Sequence, residues 1–324
     1  MFNVTDADQG NVDGTLSFFF FENLTGGSAD DTFTFADIGT LSGGVDGGGA
    51  SSGNSLVLSD DPDTVTLSSL SLTTGFSGSV VDDMPSAVTT FANINSIDSA
   101  GMSDELIGLN ATANWTLNDG ASDLYQSGGR SLTIDNFETY SGGSSADSFA
   151  INGSQSIDLN GGAGNDLFAF ATGASHTSII DGGSETDTLD FVNGAPAEAI
   201  ALSAVMADGF SGVTGNVSLF RDIDAIDGTG GDSLAAIPAT AATVDLNTVG
   251  NTLQSSGVSL AFSGVVSLTG STQDDIFNVT GVHAVDISAG DGNDRIVIQT
   301  NSSDITGTID GGGETTQDVL DLSL

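Results

Sequence analysis

The chain reads as an all-β protein, a parallel β-solenoid of the β-helix or β-roll kind with coils of about 19–24 residues. Three observations lead there. Glycine–aspartate turns recur at a nearly constant spacing. Short runs of alternating apolar and polar residues lie between them. The turns and runs also come back in the same order over a second, much longer period.

The repeat is visible without forcing. LTGGSADDTFTF from Leu24, YSGGSSADSFAI from Tyr140 and LTGSTQDDIFNV from Leu268 align on the landmarks Phe33, Phe149 and Phe277. Each leads into further turns. LNGGAGNDLFAF (Leu159–Phe170) returns as ISAGDGNDRIVI (Ile287–Ile298), and IDGGSETDTLDF (Ile180–Phe191) as IDGGGETTQDVLDL (Ile309–Leu322). Upstream, the segment from Phe91 matches the segment from Phe220, at nearly the spacing that separates Phe149 from Phe277. The chain is therefore one continuous unit over 1–324 built of super-repeats at about 1–21 (partial), 22–137, 138–265 and 266–324 (partial). Met1–Thr5 copies Ile276–Thr280, so the chain opens in mid-repeat, as a segment of a longer array is expected to do. A stretch carrying Asp6 and Asp8 has no secretory signal peptide.

Inside a super-repeat, Asp147, Asp166 and Asp187 mark successive turns, as do Asp275, Asp294 and Asp318, and their separations set the coil length. Thr32–Phe35, Ser131–Ile134 and Arg295–Ile298 alternate β-branched or aromatic residues with polar ones, the pattern of strands with one buried face. Gly supplies positive φ and Asp bonds its own backbone, which is what a tight turn between such strands needs. At about 20 residues per coil and roughly 4.8 Å per stacked strand, the segment would extend about 75 Å. A β-sandwich array is the competing fold, although it does not call for one such turn per coil. Ala195–Met206 is the one stretch with helical character, expected as a loop or cap. Phe18–Phe21 is expected to lie in a strand with two rings inward and two outward.

Composition excludes whole classes of function. The 324 residues hold 44 Asp and Glu against three Arg and no Lys, a net charge of −41, with no Cys. Three cations cannot neutralise a run of phosphates, so nucleic-acid binding is excluded. The absence of Cys removes disulfides, thiol nucleophiles and thiolate metal sites. Nothing approaches the run of about 18 apolar residues that would insert in a membrane as a helix. At 38% apolar residues the chain is nevertheless rich enough for a core.

Gly161-Gly162-Ala163-Gly164-Asn165-Asp166-Leu167-Phe168-Ala169 matches G-G-x-G-x-D-x-U-x throughout. It thereby resembles the nonapeptide of RTX β-rolls. More widely, the mosaic of TGGxxDDxFxF and IDGGxGNDxLDL resembles long secreted bacterial proteins of the β-strand-repeat, haemagglutinin-like and adhesin kind. The resemblance implies Ca²⁺ held by turn carbonyls and aspartates, with Gly162, Gly164, Asp166, Asp147, Asp187, Gly290, Gly292, Asp294, Asp275 and Asp318 as the metal-site candidates. The pattern also departs from the β-roll: Ala289 replaces the first Gly of its turn, and Gly182–Asp187 and Gly142–Asp147 lack the later Gly. Two readings of the turns stand open, a calcium cage and a backbone turn with no ligand.

Function follows the same division. The expected role is a non-enzymatic structural segment of an extracellular, cell-surface or secreted bacterial protein (adhesin, stalk or filament), forming a stiff acidic rod. Its partners would be neighbouring copies or flanking repeats of the same protein, or a cell-surface or glycan target. A dedicated RTX-type calcium-binding folding module is one alternative, and a glycan-active β-helix hydrolase, lyase or epimerase is the other. For the latter, Arg130, Arg221 and Arg295 do not align in the repeat and are expected to pair with local aspartates. Trp115, Tyr125 and Tyr140 are the few aromatic platforms available for a sugar. Gly49–Gly53 fits G-x-S-x-G without the strand–elbow–helix context, and His176 and His283 are expected at the surface or in turns.

Overall fold

A computed structural model describes residues 1–49, 53–59, 62–82, 88–193, 196–236, 239–299, 304–314 and 317–322. The described residues contain strands and turns and no helix. Two compact units emerge: one comprises Met1–Ala150 with Ser156–Gly164, the other Ile151–Gln155 with Asn165–Leu324. In both, strands pair mainly in parallel within a large sheet.

In the first unit, Asn23–Thr25 lies parallel to Gly44–Asp46 with Asn23 opposite Gly44, and Thr32 sits opposite Ser55, offsets of 21 and 23. In the second, Ile276 faces Arg295 and Arg295 faces Val319, offsets of 19 and 24. These are the expected coil lengths. Elsewhere the offset is much longer. Ser55 faces Ser96 and Ser96 faces Thr133, offsets of 41 and 37, while Thr243 faces Ile276 at an offset of 33.

The excess is accounted for by antiparallel meanders, which correct the uniform short period expected from the turns. Asp63–Leu70, Phe76–Asp82 and Val88–Ile94 form one; Ala113–Leu117, Asp123–Ser127 and Arg130–Asp135 form another. In the second unit, Ala199–Val205, Phe210–Val213 and Val217–Ile223 form a third, and Ala242–Leu246, Asn251–Ser255 and Val258–Thr269 a fourth. Two of these reversals are two-residue hairpins. Gly128 and Gly129 have φ of 56° and 77°, and their repeat equivalents Ser256 and Gly257 have 52° and 86°, the paired positive φ of a turn that matches strand twist.

Ala195–Met206 is thus not helical where it is described. Ala199–Val205 is a strand that buries Ile200 and Leu202 and exposes Ala199, Ala201 and Ser203. Period-2 burial overrides the helix propensity of alanine. Ala195 itself lies outside the described residues, as do Ala50–Ser52 of the G-x-S-x-G match. Phe18–Phe21 also departs from expectation. Phe18 is buried, but Phe19, Phe20 and Phe21 are 58%, 86% and 56% exposed, because Phe20 takes φ of 62° and breaks the strand alternation.

The landmark rings Phe33, Phe149 and Phe277 are all fully buried, each worth about 1.5–3 kcal/mol of transfer free energy. In the first unit Phe149 belongs to a knot of aromatics. Trp115 packs on Tyr125, Tyr140 and Phe149 with ring centroids 4.5, 5.2 and 5.5 Å away. Trp115, Tyr125 and Tyr140, the few aromatics that a sugar could stack on, are therefore core residues.

Candidate functional site

The recurring aspartates lie at turn ends beside the strands, and their burial is the first finding. Asp147, Asp166, Asp187, Asp275 and Asp294 are between 0% and 3% exposed. A carboxylate placed there must be matched by donors, and the donors are backbone N–H groups. The N–H of Asp166 donates to Asp187 Oδ1 at 2.8 Å, and that of Asp187 to Asp224 Oδ2 at 3.1 Å. Ala242 N–H donates to Asp275 Oδ1, Asp275 N–H to Asp294 Oδ1 at 2.8 Å, and Asp294 N–H to Asp318 Oδ1 at 2.9 Å. In the first unit Ala113 N–H reaches Asp147 Oδ1, Asp63 N–H reaches Asp104, and Asp31 N–H reaches the amide oxygen of Asn54. Each bond runs from an earlier residue's N–H to a later residue's side chain, across parallel neighbours.

The second carboxylate oxygen divides the turns into two kinds. In the closed kind, the residue four positions earlier points its own N–H at Oδ2: Gly27 to Asp31 at 2.6 Å, Gly143 to Asp147 at 2.9 Å and Ser271 to Asp275 at 2.5 Å. None of those three donors has positive φ. In the open kind the second residue of the turn, four before Asp187 and Asp294 and six before Asp318, is a left-handed glycine, with φ of 98° at Gly183, 108° at Gly290 and 87° at Gly312. Gly183 and Gly312 turn their N–H back to Asp181 and Asp310, two positions earlier, an Asx-type turn. Asp187, Asp294 and Asp318 are left with a buried Oδ2 that has no hydrogen-bond partner among the described residues.

The first glycine of the turn has a separate reason to be there. A Cβ at Gly142, Gly182, Gly270 or Gly311 would stand 2.5–2.6 Å from the Oδ2 of Asp147, Asp187, Asp275 or Asp318. The carboxylate fills the space a side chain would occupy. The glycine–aspartate motif is thus a matched pair.

Burial shapes the acidity. Desolvation raises the Asp187 carboxyl to about 7, helped by the charges of Asp166, Asp224 and Asp208. Desolvation likewise raises Asp294 to about 6, with Asp275 and Asp318 adding to it, and raises Asp224 to about 6. Asp147 and Asp275 are raised for the same first reason, opposed by the two backbone N–H bonds each accepts.

The calcium-cage reading can be set against this geometry. An all-oxygen donor set suits a hard cation. Yet among the described residues no three His, Asp or Glu side chains gather to hold a metal. Turn carbonyls are also engaged: Gly143 O accepts from Ala163 N–H at 3.1 Å, and Gly290 O from Gly313 N–H at 2.9 Å. Gly162, Gly164, Gly290 and Gly292 all sit at positive φ of 96–135°, where an added Cβ would press on the backbone of the preceding turn, at Gly143, Ser145, Ser271 and Gln273. Within this geometry the glycines serve close turn-on-turn approach.

Other sequence candidates fall elsewhere. His176 is buried, contrary to its expected surface position, and its backbone N–H donates to Asn216 O at 2.7 Å. His283 sits in a turn with its ring nitrogen 3.1 Å from Thr280 O. Arg295 pairs with Asp321, and Arg221 acts on Asp181 through charge, as expected of cations in so acidic a chain. Arg130 forms no ion pair among the described residues and bonds Gly75 O at 3.0 Å instead. No protein-family model matches the chain, and no curated protein matches it.

Proposed function

We propose that the chain is a non-enzymatic structural segment of an extracellular bacterial surface protein, an adhesin, stalk or filament, in which the parallel strands continue as a β-solenoid. The observation that carries this reading is the carboxylate-to-backbone ladder. The residues most suggestive of a site spend their oxygens on tying one parallel neighbour to the next. Asn54, fully buried at a ladder position, supports it, since an amide serves there with its Nδ2 donating to Asn93 O at 3.0 Å.

The glycan-hydrolase alternative needs a carboxyl held protonated near neutrality. Asp187 and Asp294 have that acidity, but they are 0% and 1% exposed and meet no substrate. Ca²⁺ enters the proposal as a stabiliser acting on the open carboxylates Asp187, Asp294 and Asp318, not as a catalytic ion. Secretion to a surface, neighbouring repeats as partners and a stiff acidic rod belong to the same proposal.

Small-angle scattering tests it. A solenoid gives a cross-section that stays constant and a particle several times longer than wide. A compact scattering profile, or turnover of any polysaccharide by the purified chain, would overturn the reading.

A further inference from the structure

The first unit has a recess that the ladder does not use. It is about 350 Å³, open to solvent, and lined by Thr73, Thr74, Gly75, Asn95, Arg130 and Ser131. That volume is at the lower end of small-ligand sites. Its walls are the loop between Asp63–Leu70 and Phe76–Asp82 on one side and the start of Arg130–Asp135 on the other. The backbone is firmly placed: Asn95 N–H donates to Asn54 O at 2.8 Å, and Asn95 O accepts from Thr133 N–H at 2.9 Å.

Arg130 is one of only three Arg among 44 carboxylates, and within the described residues it has no carboxylate partner. One arm is fixed on Gly75 O, which leaves the rest of the planar fork to a ligand. Of the hydroxyls beside it, that of Thr73 donates to Asn93 Oδ1, while that of Ser131 accepts from Gln126 Nε2 at 3.0 Å and keeps its own proton for a ligand. No aromatic or acidic side chain lines it. The repeat shows that this is a local departure from the common scaffold. The matching hairpin of the second unit pairs Ser255 with Val258 where this one pairs Ser127 with Arg130.

We propose that the Arg130 recess binds the carboxylate of an acidic sugar, a uronic-acid residue of a polysaccharide. Arg130 takes the carboxylate through its free guanidinium edge, while the Ser131 hydroxyl donates its proton to a ring oxygen. This gives the structural segment a ligand class, but it stands on the recess alone; loss of binding would leave the solenoid reading intact. The salt dependence has an unusual sign. The remaining charge of the chain repels the ligand over distances that salt screens, whereas the Arg130 contact is short and is screened least. Affinity therefore holds or rises with added salt.

Calorimetric titration with tri-galacturonate, maltotriose and sulfate tests the proposal. Arg130→Val installs the residue of the sibling hairpin and is expected to fold; circular dichroism checks this. Tri-galacturonate should bind the parent, lose at least tenfold in Arg130→Val and lose less in Arg130→Lys, while maltotriose binds neither. Raising NaCl from about 20 to about 150 mM, which shortens the screening length to about 8 Å, should not weaken binding. Three results would each overturn the proposal: no binding of tri-galacturonate, equal binding of maltotriose, or sulfate matching the uronate. If Arg130→Val does not fold, an affinity unchanged in Arg130→Lys overturns it in the same way.

Discussion

Asp275 and Asp294 are the same residue in the same setting on successive turns, both 1% exposed, with the N–H of the first on Oδ1 of the second. Yet Asp275 accepts N–H bonds on both oxygens and Asp294 on only one. The difference lies four positions upstream. Ser271 aims its N–H, and its hydroxyl, at the carboxylate, while Gly290 at φ of 108° does not. A single backbone dihedral decides whether a buried aspartate is fully neutralised by donors or keeps an oxygen idle. The sequence motif alone is silent about which outcome applies.

Truncation should separate the two most strongly. Asp275→Ala strands the N–H groups of Ala242 and Ser271 and is expected to cost about 3–5 kcal/mol, against about 1–3 kcal/mol for Asp294→Ala, which strands only that of Asp275. Urea unfolding followed by circular dichroism measures both, and equal losses would break the distinction.

Amide substitution sharpens it. Asp275→Asn sets an NH₂ against the Ser271 N–H or turns it on Ala242, and is expected to cost about 1–3 kcal/mol. Asp294→Asn keeps the Oδ1 acceptor and removes a desolvated charge, so at pH 8 it should be neutral or stabilising. A loss at Asp294→Asn comparable to that at Asp275→Asn would show that the idle oxygen has a donor.

A third effect concerns pH. With Asp187 raised to about 7 and Asp294 to about 6, the folded chain holds these protons more tightly than the unfolded one. That stability is fully present below about pH 4 and is lost as pH rises through about 6–7. In EDTA the melting temperature should therefore fall between pH 5 and pH 8, and the fall should flatten in Asp187→Asn/Asp294→Asn. Added Ca²⁺ at equal ionic strength should restore the parent at pH 8 and leave the double variant unmoved. A parent midpoint indifferent to Ca²⁺ would reject the ion as stabiliser and leave the ladder as it stands.

Much of this was legible in the sequence, for identifiable reasons. The landmark Phe33, Phe149 and Phe277 mark buried strand positions because a large apolar residue after a fixed turn has one face to go to. The aspartates were found because a short carboxylate recurring at a constant offset from Gly implies a shared geometry. The meanders were not legible, since period-2 alternation is identical in parallel and antiparallel strands, and only hairpins such as Gly128-Gly129 hinted at them. Ala199–Val205 misled through the helix propensity of alanine, although Ile200 and Leu202 were spaced as a strand. Arg130 was read as an ion-paired cation because the chain is so acidic; in the fold its acceptor is the carbonyl of Gly75. The open and closed turns differ in φ, which Gly allows to take either sign.

One property of the ladder bears on how such a chain comes together. Every rung has its donor upstream and its acceptor downstream: Asp31 to Asn54, Ala113 to Asp147, Asp166 to Asp187, Asp275 to Asp294 and Asp294 to Asp318. At these rungs a segment emerging from its N-terminal end exposes an unmet N–H, and the next segment to arrive carries the side chain that meets it. Each turn is completed by its successor and in turn leaves one vacancy of its own. One residue earlier the bonds run the other way, from Thr186 N–H to Asn165 Oδ1, Asn293 N–H to Asp274 Oδ1 and Gln317 N–H to Asn293 Oδ1, so neighbouring turns are clasped in both directions and a slipped neighbour is betrayed by a buried donor facing no acceptor.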